Sequence, residues 1–159
     1  MQVGRAVFAG VAGALAMTVA ALVFGELGIA VSLESLLGTF LGFEPGSGAG
    51  WLAGLVAHLI VGAWFAVIYV HGFEDLTGRA GWSVGAAFSM IHIILAGFLV
   101  TFLPMVLPHA TVQPGMFMAH EGLAGVCVFM LLHIVYGAVV GSVYAFLLTP
   151  LYSSRNALV

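Results

Sequence analysis

Charge is what this sequence has least of. Its 159 residues carry three basic side chains, Arg5, Arg79 and Arg155, and six acidic ones, for a net charge of −3. No basic run could track phosphates, so nucleic acid is excluded as a partner. Cysteine is almost absent: the single Cys127, inside an apolar run, rules out an internal disulfide and a cysteine-based metal cage. Polar stretches long enough to fold alone are missing, which leaves no room for a soluble domain. Missing too are a phosphate-binding glycine loop, a nucleophile elbow, a metalloprotease helix motif and carboxylates paired at hydrolytic spacing, and the chain reads as non-enzymatic.

Apolar residues are abundant. At 63% hydrophobic, with 22 glycines and a mean hydropathy of +1.22, the chain has too little polar surface to face water and reads as an integral membrane protein. Four apolar runs each approach the roughly 20 residues a helix needs to cross the hydrocarbon core, at about Arg5 to Ala30, Trp51 to His71, Trp82 to Leu103 and Leu123 to Leu148. The first lacks a positive cluster and is longer than a signal-peptide core, so it reads as a retained helix. Between the first two spans, Leu33, Leu36, Leu37, Phe40 and Leu41 follow the stripe of an amphipathic helix at about 32–42, with Ser32 as N-cap and Gly42 as stop, lying in the membrane interface. The matching stretch from Pro104 to Gly122, broken by Pro104, Pro108, Pro114 and Gly115, reads as irregular or partly re-entrant.

The chain also repeats itself. His58, Gly62, Ala63 and Tyr69 recur at the same internal spacing as His133, Gly137, Ala138 and Tyr144, and Gly4-Arg5-Ala6 is echoed by Gly78-Arg79-Ala80. A period of this length is a duplicated helix pair. The expected fold is therefore all-α and polytopic, one integrated membrane domain made of two tandem helix pairs, residues 1–77 and 78–159, related by a pseudo-twofold axis along the membrane normal. An even number of spans puts Arg5, Arg79 and Arg155 on one side, which the positive-inside rule makes cytoplasmic along with both termini. Glu34, Glu44, His109, His120 and Glu121 then face outward, while Glu74-Asp75 reads as solvated loop charge.

Ionisable residues inside an apolar span are functional candidates. His58 and His133 lie at matching points of two helices, His92 sits in the third span with Met17 as its approximate counterpart in the first, and Glu26 lies near the outer end of the first span. His58, His92 and His133 with Glu26, approached by His120 and Glu121, make an adequate ligand set for a transition metal ion. Alternatively, His58 and His133 clamp a haem b, with Gly62 and Gly137 one turn away leaving room for the macrocycle. Helices packed at about 8 to 10 Å are tight for a haem between them and better suited to an ion or a hydrogen bond. A plainer reading stands beside both: each histidine hydrogen-bonds a carbonyl or tyrosine, and the glycines simply let helices pack. A second constellation, Met105, His109, Met116, Met118 and His120, has the soft donors of a copper-handling loop, although methionines at a membrane surface more often fill gaps.

The stretch from Gly50-Trp51 through His58, Gly62 and Tyr69, followed by His133, Tyr136-Gly137, Gly141 and Tyr144, resembles a family of small prokaryotic four-helix membrane proteins of unknown function. The resemblance covers most of the chain and implies four spans and an inner-membrane location. It implies no activity. From the residues themselves the leading expectation is a membrane protein or membrane-complex subunit holding a metal ion or haem. A small oligomeric transporter or channel relaying protons or ions through the same histidines is the alternative, and a structural subunit packed by its glycine faces is the third.

Overall fold

The computed structural model describes residues 2–29, 31–107 and 112–156, without the side chains of 149–156. Every regular element is helical: α1 (Val3–Glu26), α2 (Leu33–Phe40), α3 (Gly48–Gly72), α4 (Trp82–Val106) and α5 (Gly122–Asn156). A π-helical turn, Phe73–Thr77, extends α3, and a 3-10 segment, Met116–Glu121, precedes α5. Four of these helical stretches are long and apolar enough to cross a membrane. At 1.5 Å per residue, α1 alone is about 36 Å long, against a hydrocarbon core of about 30 Å.

Local chemistry sets the ends. The Ser32 hydroxyl accepts the Ser35 N–H at 3.1 Å and caps α2, and Ser47 does the same for α3 through Gly50 N–H at 3.1 Å. Gly78, at φ +60, turns the chain after α3. The third expected span stopped at Leu103, one residue short of the proline; α4 instead carries Pro104 within its last turn and ends at Val106. Residues 112–115 form no regular element, and the 3-10 segment after them holds consecutive left-handed residues Phe117 (φ 54) and Met118 (φ 65). Pro108 and His109 lie outside the described residues, as does the side chain of Arg155.

Helix contacts are made backbone to backbone. α1 packs on α3 and on α5, α4 packs on α5, and α2 packs on α3, whereas the backbones of α3 and α4 stand apart and meet through side chains such as Phe65 on His92. A Cβ on Gly10 would stand 2.6 Å from the Gly62 carbonyl oxygen, and one on Gly85 would run into the Gly137 carbonyl. Both contacts therefore require glycine. The two notches recur at the spacing of the repeat, Gly10 to Gly85 and Gly62 to Gly137. A third notch lies between α2 and α3, where a Cβ on Gly54 would collide with the Glu34 carbonyl and one on Gly38 with Gly50.

That third notch changes which face of α2 is buried. The stripe Leu33, Leu36, Leu37, Phe40, Leu41 anticipated a polar face for Glu34; instead Glu34, Leu36, Gly38, Thr39 and Phe40 are buried and Leu41 is exposed. Gly50 and Gly54 let the α2 backbone come so close to α3 that its Glu34–Gly38 edge is turned inward.

Candidate functional site

The Gly54 notch delivers a carboxylate to His58. Glu34 Oε1 accepts from His58 Nδ1 at 3.1 Å, and the Thr18 hydroxyl of α1 stands 2.5 Å from the same oxygen and 3.1 Å from the Ala14 carbonyl. Ser32 holds the other carboxylate oxygen at 3.2 Å. Glu34, His58 and Thr18 are all buried. Burial alone raises the Glu34 carboxyl, but the hydrogen bonds from His58 and Thr18 outweigh it and hold the group well below the ordinary carboxylate range.

His133, at the matching point of α5, is held differently. Its Nδ1 donates to the Phe129 carbonyl one turn back at 2.7 Å, and the Phe129 ring lies against it with centroids 4.3 Å apart. A neutral imidazole that donates through Nδ1 presents a lone pair at Nε2. His92 of α4 stands edge-on to His133 at 4.8 Å and to Tyr136 at 5.2 Å, and stacks on Phe65 of α3 at 3.9 Å. Its Nδ1 is enclosed with no hydrogen-bond partner. The Tyr136 hydroxyl donates to the Gly62 carbonyl and ties α5 to α3.

These side chains border one cavity of about 100 Å³, lined by His58, His92, His133 and Tyr136 together with Met17 and Leu36. Of the residues expected at a site from the sequence, His58, His92 and His133 thus meet at a single space. Glu26, His120 and Glu121 do not: each is exposed, and the His120 Nδ1 bonds the Gln113 carbonyl. Among the described residues no three His, Cys, Asp or Glu side chains are placed to hold a metal ion. Gly62 also borders the cavity, with Ala14 of α1 closing on its Cα, while Gly137 faces Gly85 and Ser89 of α4 and is filled by that helix. Met105 and Met116 point outward while Met118 is buried, and those three methionines do not converge.

Sequence reasoning did not place Glu34, Thr18, Phe65 or Tyr136 at the site. A signal for Glu34 was present, a lone acid in an otherwise uncharged eight-residue helix, with Gly54 one turn before His58 to admit it. Compared with family models, curated proteins and solved structures, the chain matches none.

Proposed function

We propose that this chain is a non-enzymatic integral membrane protein that holds a small ligand in the cavity among His58, His92 and His133, its termini cytoplasmic, within the small four-helix inner-membrane family its duplicated motif resembles. The observation that carries this reading is His92, a buried imidazole that lines the cavity and makes no hydrogen bond among the described residues. An unsatisfied buried polar atom costs roughly 1 to 3 kcal/mol, and a ligand that pairs with it recovers that cost. His58 and His133 support the same reading, because each has Nδ1 engaged by an acceptor and Nε2 uncommitted, the arrangement that orients ligand-binding imidazoles.

A haem does not fit this geometry. Neighbouring helices close on Gly62 and Gly137, and about 100 Å³ is too little for a macrocycle. A transition metal ion requires the three rings to rotate toward one point, since no group of three is poised to share one among the described residues. Proton transfer is favoured by one observation, two ionisable side chains, Glu34 and His58, buried in hydrogen-bond contact.

Uptake is the test. Xenon enters dry apolar cavities, so xenon NMR of the protein in nanodiscs should show a saturable bound population that Ala96→Leu, at the cavity wall, removes. Absence of bound xenon in the unmodified protein overturns the reading. A metal ion that co-purifies without chelator and is lost in both His58→Ala and His133→Ala would replace the small molecule by an ion.

A further inference from the structure

The walls and mouth of the cavity narrow the class of ligand. Beyond its imidazoles and Tyr136 the lining is aliphatic or aromatic, including Phe65, Ala96 and Val100. Val61 of α3 and Leu99 of α4 line it and are also 41% and 52% exposed on the outer surface, at the seam where the backbones of these helices stand apart. In a membrane that seam faces acyl chains, so the route in is lateral and favours a molecule already dissolved in lipid. A hydrated ion would have to shed its water against aliphatic walls. The polar atoms on offer include acceptors: His133 commits its N–H to Phe129 and keeps the Nε2 lone pair, and His92, which has one N–H and one lone pair, has made no bond. The aromatic faces of Phe65, His92 and Tyr136 stand around the space in stacked and edge-on orientations that suit a planar ring. In volume the cavity is of the order of those that admit benzene, about 150 Å³.

Building on the reading that the cavity binds a ligand, we propose that its ligand is a lipid-dissolved phenol or hydroquinone ring that enters between α3 and α4 and donates its hydroxyl to His133 or His92. A hydroxyl proton given to imidazole Nε2 satisfies both groups away from water. The same ring without the proton leaves them unpaired, and the site discriminates accordingly.

The probe is 4-propylphenol, with 4-propylanisole as a control of nearly the same shape that lacks the donor. Saturation-transfer NMR in nanodiscs, corrected with protein-free discs, should show saturable binding of the phenol and at least tenfold weaker binding of the ether. His92→Phe, which preserves the stacked ring on Phe65, or His133→Phe, whichever removes the acceptor, should weaken the phenol about tenfold while leaving the ether unchanged. Leu99→Trp at the mouth should slow entry of both. Equal affinity for phenol and ether, or phenol binding indifferent to both histidine variants, overturns the proposal. Should His133→Phe fail to fold, the phenol-to-ether ratio in the unmodified protein decides. If xenon binds and the phenol does not, the phenol assignment fails and the cavity reading stands; if neither binds, both fall.

Discussion

His58 and His133 occupy corresponding places in the repeat, 75 residues apart on α3 and α5, yet the molecule holds the two imidazoles by different means. His58 reaches another element for a carboxylate, whereas His133 bonds the carbonyl of its own helix. The difference traces to the residue one turn earlier. Gly54 lacks a side chain, so the backbone of α2 sits on α3 and Glu34 arrives beside His58. Its counterpart Phe129 is fully buried and fills that space with its ring. In place of a helix like α2, the second half brings the Met116–Glu121 segment, whose Phe117 ring occupies the notch at Gly97 of α4. Two copies of one motif thus supply one imidazole paired with a carboxylate and one without, and the cavity between them is chemically asymmetric.

The largest effect should come from closing the Gly54 notch. Gly54→Leu pushes α2 off α3, so it combines a backbone collision with loss of the Glu34–His58 pair, and should cost more than about 3 kcal/mol. Thermal unfolding in detergent measures the loss, and hydrogen exchange should show α2 losing protection while α4 and α5 keep theirs. Uniform loss of protection would mean that the halves do not differ in the way Gly54 and Phe129 suggest.

Next in size is the contrast between partners. Glu34→Ala leaves His58 buried without its acceptor and should cost about 3 kcal/mol. His133→Phe removes an imidazole whose only hydrogen bond among the described residues is to a helix carbonyl, and should cost less than about 1.5 kcal/mol. Similar losses in the two variants would erase the asymmetry.

How much of this was legible beforehand depends on the range of the interaction. The four spans follow from runs of about 20 apolar residues, a local property, and all four appear. His58, His92 and His133 stood out because each is an ionisable side chain in such a run, and they do reach one cavity. The face of α2 was not legible, because hydropathy periodicity assigns Glu34 to the polar side and only the contact with Gly50 and Gly54, some 20 residues on, reverses it. Glu26 was drawn in by its depth along α1, but depth does not specify which way a helix faces, and the exposed side is where it lies. Phe65 and Tyr136 look like ordinary apolar positions in sequence, and only the crossing of α3, α4 and α5 gives them a polar neighbour.

A smaller effect should appear with pH. Folding holds the Glu34 carboxyl below its ordinary range, so the stabilisation it provides is fully present above the unfolded-state value of about 4.3 and is lost as pH falls through that value toward the lower folded one. Thermal midpoints should therefore drop on acidification below about pH 5, and the drop should be shallower in Glu34→Gln. An identical slope in that variant would place the acid sensitivity elsewhere.

The smallest effects should come from Glu26, His120 and Glu121, and their smallness matters to the comparison. Each is exposed. Glu26 ends α1 outside the cavity lining, and His120 and Glu121 lie on the 3-10 segment that replaces α2 in the second half. If that segment delivered a side chain to His133 as α2 delivers Glu34 to His58, removing a charge or an imidazole there would weaken folding and ligand uptake together. The hydrogen bonds point the other way, since His120 bonds Gln113 of its own loop and the His133 Nδ1 is already held by Phe129. Glu26→Gln, His120→Gln and Glu121→Gln should each shift stability by no more than about 0.5 kcal/mol, the usual range for surface substitutions, and leave xenon uptake unchanged. Loss of uptake in His120→Gln or Glu121→Gln with the fold intact would show that the second half does send a side chain from its outer segment to the cavity, and that the two halves work alike after all.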